Sequence, residues 1–307
     1  MLSRNAVSWI RQRVQVPPLD VPEGRWLDLP GRGRTWLTDA PGPTPDAPSI
    51  VLLHAVGCTG LLTWWPSIPE LARTHRVVCF DQRWHGRGIV SDRFDLHECA
   101  DDVAAVIDEL GLENPIVAGY SMGGVVAQRT WRQHPEKVGG LVLAATAAHF
   151  RVSRQEVLFH QGVSLGMDGL AALAKAGAAR AAGRAAGRAA GIEDTRTARW
   201  ALGELNSTSP LAVGEALAAI GRHHATPWLR RIDVPTAVVV TAHDHLIPPT
   251  RQRRMAARIP AATTHEAQTG HGGCVLEADR FIPALREAVR TVQARINDDA
   301  RSEERSA

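Results

Sequence analysis

The sequence IVAGYSMGG, residues 116–124, is the strongest single indication of how this chain folds. Its first three residues are apolar and predict a buried strand, and the residues after it have helical character. Gly119, Ser121 and Gly123 form the pattern GxSxG at this predicted strand-to-helix turn. Such a turn strains the backbone of the serine, and glycines lack the Cβ atoms that would collide there. The pattern therefore predicts that the Ser121 hydroxyl is held in the open at the end of a strand.

Similar apolar runs without alternation recur along the chain, with helix-patterned segments between most of them, at residues 50–53, 77–80, 141–144 and 237–240. Continuous apolar runs are typical of parallel strands that are covered on both faces. Between two of these runs, apolar residues repeat at three- and four-residue spacing from 96 to 110, and Gly111 follows as a helix stop. Strand, helix and strand in this order predict a doubly wound, mostly parallel α/β sheet.

The strand signal disappears between residues 146 and 225 and is replaced by helical sequence rich in Ala, Gly and Arg. An insertion at this point would lie over the strand ends, so we predict a helical lid at 146–225 on a core of 1–145 and 226–296. Residues 297–307 are almost wholly polar and are expected to be a disordered tail. Within the lid, Arg180, Arg184 and Arg188 share one helix face. We interpret this face as solvated, and a nucleic-acid contact is the alternative.

Composition limits the class of protein. The chain has 307 residues, 44% of them hydrophobic, and a formal net charge of only +3, which gives no nucleic-acid-binding surface. The four cysteines have neither CxxC nor metal-ligand spacing, and the His243 and His245 pair lacks a third ligand at recognisable spacing. No apolar run approaches the ~20 residues that span a bilayer, and no secretory signal pattern is present. We expect a cytoplasmic protein that acts on a small molecule, without cofactor, metal, nucleic acid or membrane insertion.

A serine at such a turn needs a base and an acid before it can react. His271 follows the predicted last strand, 263–266, in the stretch GHGG, and Asp244 lies in the loop that ends the penultimate strand. The other loop that could deliver an acid, 145–150, contains no carboxylate. Ser121, Asp244 and His271 also occur in the chain order expected for nucleophile, orienting acid and base.

An oxyanion hole is predicted from two backbone N–H groups. One belongs to Met122, directly after the serine, and the other to Val56 in the loop His54-Ala55-Val56-Gly57. His54 itself is interpreted as a histidine that braces this loop. Trp64, Trp65 and Tyr120 are candidates to contact the substrate, although core packing is the commoner fate of a tryptophan pair.

Together these motifs resemble the α/β-hydrolases of the esterase/lactonase type over about residues 26–292. The resemblance rests on HxxG at 54–57, DQRWHGRG at 81–88, GxSxGG at 119–124, the late aspartate and GHG at 270–272. It implies that Ser121 is the nucleophile, His271 the base and Asp244 the orienting acid. This sequence departs from the family pattern at Ala55 and Trp84, where such proteins usually carry glycine.

The function expected from these residues is hydrolysis of an ester, a lactone or a related carbonyl compound through an acyl-enzyme. A serine nucleophile excludes the epoxide hydrolases and dehalogenases of this fold, which use a carboxylate. Two alternatives on the same residues are a C–C bond hydrolase and a cofactor-free perhydrolase. An alternative of another class is a noncatalytic protein that captures a small ligand under the lid.

Overall fold

A computed structural model describes residues 22–150 and 196–306 of the chain. The arginine face predicted at Arg180, Arg184 and Arg188 lies outside the described residues.

In the described part of the chain, eight strands form one sheet in the order β1-β2-β4-β3-β5-β6-β7-β8. The strands are β1 (Gly24–Leu29), β2 (Gly33–Ala40), β3 (Ser49–Leu53), β4 (Arg76–Phe80), β5 (Ile116–Tyr120), β6 (Gly140–Ala144), β7 (Thr236–Thr241) and β8 (Thr263–Ala267). Strand β2 pairs antiparallel with both β1 and β4, and every other neighbouring pair is parallel. The predicted doubly wound, mostly parallel α/β sheet is therefore confirmed.

Helices lie between the strands and cover both faces of the sheet. They are α1 (Gly60–Trp64), α2 (Ile68–Leu71), α3 (Leu96–Glu109), α4 (Met122–Gln133), α5 (Arg196–Asn206), α6 (Pro210–Arg222), α7 (Pro249–Ala256), α8 (Gly273–Leu276) and α9 (Ala278–Ser306). Helix α3 ends as its sequence predicts, because Gly111 has a φ of 57° in the left-handed region that glycine tolerates. None of the helices in this part of the chain is long and apolar enough to cross a membrane.

The sheet separates two hydrophobic cores. Because successive strand residues point to opposite faces, β3 contributes Val51 and Leu53 to the core that contains α3 and α4. It contributes Ile50 and Leu52 to the core that contains α1, α2 and α9. All four side chains are fully buried, which is why this strand reads as a continuous apolar run.

The structure corrects the expectation for the C-terminal tail, since α9 continues through Ser306 and does not end near residue 297. The polar residues there support a helix through local pairs. Arg301 lies 3.6 Å from Asp298, one helical turn earlier, and Gln293 donates to Asn297. Pairs at this spacing stabilise an exposed helix, and the segment contains neither Gly nor Pro. Polar composition was therefore a wrong indicator of disorder at this terminus.

Helices α5 and α6 lie between β6 and β7 in the chain and pack on loops that follow β3 and β4. Trp200 on α5 contacts Trp65 edge-on with ring centroids 5.2 Å apart. Thr208, between the two helices, accepts a hydrogen bond from the N–H of Gly86 at 3.0 Å. The two helices in the described part of the predicted lid region thus sit against the loops at the carboxyl ends of the strands.

Candidate active site

Ser121 occupies the sharp turn between β5 and α4. Its backbone has φ 53° and ψ −112°, which is left-handed space that costs a non-glycine residue about 1–3 kcal/mol. A Cβ on Gly119 would lie 2.1 Å from the carbonyl oxygen of Gly123, and one on Gly123 would lie 2.1 Å from that of Leu53. Both flanking glycines are therefore required by close backbone approach.

Ser121, His271 and Asp244 form a continuous chain of hydrogen bonds. The Nε2 atom of His271 lies 3.1 Å from Oγ of Ser121, and Nδ1 lies 2.7 Å from Oδ2 of Asp244. The histidine is in the loop between β8 and α8, and the aspartate is in the loop after β7. The three residues follow β5, β7 and β8, which lie close together in the sheet. Their side chains therefore meet at the same edge of the sheet.

Asp244 is buried and its two carboxylate oxygens are fully engaged. Oδ1 accepts from the backbone N–H groups of Leu246 and Ile247, both at 2.8 Å. Oδ2 accepts from the Thr241 hydroxyl at 2.8 Å as well as from His271. Burial raises the pKa of Asp244, but the hydrogen bonds and charge of His271, with those of the loop, outweigh it and leave this pKa below its usual value.

The ionised carboxylate determines which ring nitrogen of His271 carries a proton. Because Asp244 can only accept, Nδ1 must be the donor, and neutral imidazole then has a free lone pair on Nε2. That lone pair faces the Ser121 hydroxyl. The arrangement is the one required for a base that removes a proton from Ser121 Oγ.

The loop after β3 begins beside the first turn of α4, because the carbonyl of Leu53 closely approaches Gly123. This loop carries Val56, and Gly57 turns it with a φ of 74°. Ala55 lies outside the left-handed region, so the alanine causes no backbone strain where the family usually has glycine. Met122 is the first residue of α4, and its N–H belongs to the helix end that lacks an intrahelical acceptor.

Buried polar groups in the loop after β4 hold the loop after β3 through hydrogen bonds. The N–H of Gln82 donates to Nε2 of His54 at 2.8 Å, and the Gln82 amide donates to the His54 carbonyl at 2.9 Å. Asp81 accepts from the N–H groups of Gly60 and Arg87, both at 2.9 Å. His54 therefore braces the loop as expected, and Asp81 joins the loops after β3 and β4.

Trp84 adopts a backbone conformation that is normal for glycine, with φ 66°. Its indole Nε1 donates to the carbonyl of Ser91 at 2.9 Å, and its ring packs edge-on against Phe94. This contact offsets the strain of a bulky residue at positive φ. The tryptophan therefore adds packing against Ser91 and Phe94 at a position where the family usually carries glycine.

The three aromatic candidates for substrate contact are all buried in the structure. Trp64 is fully buried and packs edge-on against Tyr120 with ring centroids 6.0 Å apart. Trp65 is 1% exposed and contacts Trp200. Tyr120 donates its hydroxyl proton to the carbonyl of His271 at 2.8 Å. Core packing accounts for all three positions, so none of them is exposed to receive a substrate.

No group of three metal-ligating side chains occurs within residues 22–150 and 196–306. His243 and His245 flank Asp244 in the sequence, but Asp244 itself binds His271, Thr241 and the loop backbone. The carboxylate has no oxygen left for a cation.

Three buried histidines make stability dependent on pH. Burial lowers the pKa of His54 to about 4, that of His85 to about 3 and that of His223 to about 3. In the unfolded chain each has a pKa near 6.5. As pH falls from 6.5 towards 4, the unfolded chain binds protons that the folded protein excludes. The free energy of unfolding therefore decreases with falling pH. The slope corresponds to an uptake on unfolding that approaches roughly three protons, one for each of these histidines.

His223→Phe is expected to reduce that slope by about one proton, because His223 packs on Trp228 and both of its ring nitrogens lack a partner in the described structure. Urea unfolding of both proteins at several pH values between 7.5 and 5 measures the difference. Equal slopes in the two proteins would contradict the assignment of a neutral buried His223.

Comparison with known proteins identifies the family to which this fold belongs. The model of the α/β-hydrolase fold family matches residues 48–278. A putative carbamate hydrolase, RutD, from a Caulobacter species is 26% identical over 248 residues, covering 80% of this chain and 91% of the relative. The pimeloyl-(acyl-carrier protein) methyl ester esterase of Chromobacterium violaceum is 29% identical over 248 residues, covering 80% and 95%.

Among solved structures, the enol-lactonase from Burkholderia xenovorans superposes with a TM-score of 0.69 at 23% identity, covering 87% of this chain and all of that one. At this identity the superposition shows the fold alone. The family match and the curated relatives show that the protein is an enzyme of the hydrolase class. By its sequence match and its fold, the chain belongs to the α/β-hydrolase fold family.

Proposed function

We propose that the protein is a serine hydrolase that cleaves an ester, a lactone or a related carbonyl substrate through an acyl-enzyme. The observation that carries the proposal is the relay from Asp244 through His271 to Ser121, with distances of 2.7 and 3.1 Å. Hydrogen-bond contact of nucleophile with base, and of base with an orienting acid, is the geometry of an activated hydroxyl.

In the proposed reaction, Oγ of Ser121 attacks the substrate carbonyl while its proton passes to Nε2 of His271. The bond to the leaving group then breaks, and His271 gives the proton to the departing oxygen. Water attacks the acyl-enzyme by the same proton path, which releases the acid and regenerates the serine. Asp244 stays ionised throughout and stabilises the imidazolium.

The N–H groups of Val56 and Met122 are proposed to hold the negative oxygen of the tetrahedral intermediate. The close approach of Leu53 to Gly123 supports this pairing, since it places the loop of Val56 next to the start of α4. The positive end of the α4 dipole lies at the same point and favours negative charge there. Backbone donors that are already in place need no reorganisation as this charge develops.

The names of the relatives support a carbonyl substrate. They describe a carbamate hydrolase, a methyl ester esterase and an enol-lactonase, and each of these bond types has a carbonyl attached to a heteroatom. We propose a small carboxylic ester or lactone as the substrate class of this chain, with no metal or cofactor, because its own residues supply nucleophile, base and donors. A cytoplasmic location suits the four free cysteine thiols.

An activity profile combined with covalent labelling tests the proposal. The native protein is expected to react with a fluorophosphonate probe and to hydrolyse members of a panel of short and long acyl esters, lactones, carbamates and amides. Turnover of β-diketones alone would favour C–C bond hydrolysis, and peroxide-dependent turnover alone would favour perhydrolysis. Absence of labelling would overturn the serine mechanism and favour a noncatalytic ligand-binding protein.

We also propose that α5 and α6 are part of a lid that supports the loop of Val56. Glu204 on α5 accepts a hydrogen bond from Thr59 at 2.5 Å and lies 3.8 Å from Arg87. Thr59 is the N-cap of α1, because it also accepts from the N–H of Leu62. Glu204 therefore connects the lid to the end of the proposed oxyanion loop.

Glu204→Ala is expected to lower kcat/KM by about three- to tenfold, because the loss of a hydrogen bond to a charged group loosens this loop. The Arg87 pair contributes little, since its guanidinium is partly exposed. Steady-state kinetics on an ester found in the panel measures the effect. Glu215→Ala, on the neighbouring helix α6, is the matched control, and an equal effect of both variants would contradict the role of Glu204.

A further inference from the structure

Tyr120 is the only tyrosine of the chain, and its side chain leaves the nucleophile turn on the side away from α4. Its ring packs edge-on against Trp64 and against Phe281, with centroid distances of 6.0 and 5.4 Å. The side chain is 1% exposed. A tyrosine buried this deeply needs a partner for its hydroxyl.

That partner is the main chain of the proposed base. The Tyr120 hydroxyl donates to the carbonyl oxygen of His271 at 2.8 Å, and the two rings lie 5.9 Å apart. The residues in contact are separated by 151 positions in the sequence. Tyr120 immediately precedes Ser121, so the strand that presents the nucleophile also holds the backbone of the histidine.

Other contacts hold the ends of the histidine loop, but they do not act on residue 271 itself. The N–H of Gly270 donates to Oε2 of Glu277 at 3.0 Å, and the Thr269 carbonyl accepts from the N–H of His243 at 3.0 Å. The thiol of Cys274 is a second neighbour of the Tyr120 hydroxyl. Tyr120, at the end of the strand before Ser121, thus restrains the carbonyl of His271. The contacts of Gly270 and Thr269 hold the loop on one side of this residue.

Burial raises the pKa of Tyr120 well above its usual value. The phenol therefore keeps its proton, and remains a donor, throughout the pH range in which a histidine base works.

We propose that Tyr120 is a positioning residue, which fixes the backbone of His271 so that the imidazole stays aligned between Asp244 and Ser121. The inference rests on the proposed function. Alignment of this kind matters for rate because a displacement of about 1 Å at a reacting group can cost about 10²-fold. It matters little for substrate binding, since Tyr120 is buried beneath the site.

The test is Tyr120→Phe, which removes one oxygen and keeps the ring. The variant is expected to show a kcat about tenfold lower on the best ester of the panel, with KM changed by less than about twofold and a similarly slower reaction with the fluorophosphonate. The downfield proton resonance of the Nδ1–H group shared by His271 and Asp244 is expected to broaden, because a looser loop lets solvent exchange this proton faster.

Phe281→Leu is the matched control, since it trims the same aromatic cluster and leaves the hydroxyl in place. It is expected to lower the Tm while kcat stays near the native value. An unchanged kcat in Tyr120→Phe, or an equal loss in Phe281→Leu, would overturn the positioning role. If the native protein were not labelled at all, the serine mechanism would fail, but an altered downfield resonance in Tyr120→Phe would still support the positioning of His271.

Discussion

Ser121→Ala is expected to lower kcat/KM for ester hydrolysis by about 10⁴-fold or more and to abolish labelling by a fluorophosphonate. The variant lacks the Oγ atom that would form the proposed acyl-enzyme, while the backbone N–H groups of the proposed oxyanion hole are retained. Alanine also keeps the Cβ that the strained position already accommodates, so the fold should be unchanged. Active-site titration and mass spectrometry of the labelled peptide measure both effects.

Ser67→Ala is a suitable control for this substitution. Ser67 is also buried, and its hydroxyl has no hydrogen-bond partner in the described structure. The control variant should retain both labelling and turnover. Labelling that persists in Ser121→Ala would place the nucleophile elsewhere and contradict the assignment.

Asp244→Asn is expected to lower kcat by about 10⁴-fold with little loss of stability. The backbone N–H groups of Leu246 and Ile247 both donate to Oδ1 of Asp244. In the variant, the oxygen of the asparagine amide must occupy this position, because only the oxygen can accept these hydrogen bonds. The amide nitrogen must then face Nδ1 of His271 as a donor. The histidine would respond by carrying its proton on Nε2, where it can no longer accept the proton of Ser121.

Crystallography and pH-dependent kinetics of Asp244→Asn test this prediction. Thr241→Val is the control, because it removes one hydrogen bond, donated by an uncharged hydroxyl to Oδ2, and leaves the charge of Asp244 in place. A reduction of about tenfold or less is expected for Thr241→Val. A kcat in Asp244→Asn within about tenfold of the native value would show that the carboxylate does not control the state of the imidazole.

The sheet and the order of the three site residues could be predicted because both depend on local patterns. The run at residues 50–53 is apolar throughout because both faces of β3 are buried. The glycines of GxSxG are required because backbone atoms lie too close to Gly119 and Gly123 to leave room for a Cβ. The late Asp244 and His271 were identified by their positions after predicted strands. Parallel strands bring such loops to one edge of the sheet whatever their separation in sequence.

The positions of the C-terminal residues and of Tyr120 could not be predicted from local patterns, for physical reasons. The C-terminal residues were expected to be disordered on composition, but pairs at one-turn spacing, such as Arg301 with Asp298, extend α9 to Ser306. Tyr120 was named as a candidate for substrate contact, and the structure buries its side chain. Successive residues of a strand point to opposite faces, and the face of Tyr120 is the one covered by α9.

The amino-acid sequence alone predicts the α/β sheet, the turn at Ser121 and the choice of Asp244 and His271 as its partners. These predictions are possible because periodicity and tight-turn chemistry act over a few neighbouring residues. The distances from Asp244 to His271 and from His271 to Ser121, and the contact of Tyr120 with a carbonyl 151 residues away, required the tertiary structure. Such contacts depend on how helices and strands pack, and each is a single hydrogen bond that leaves no periodic pattern in the chain.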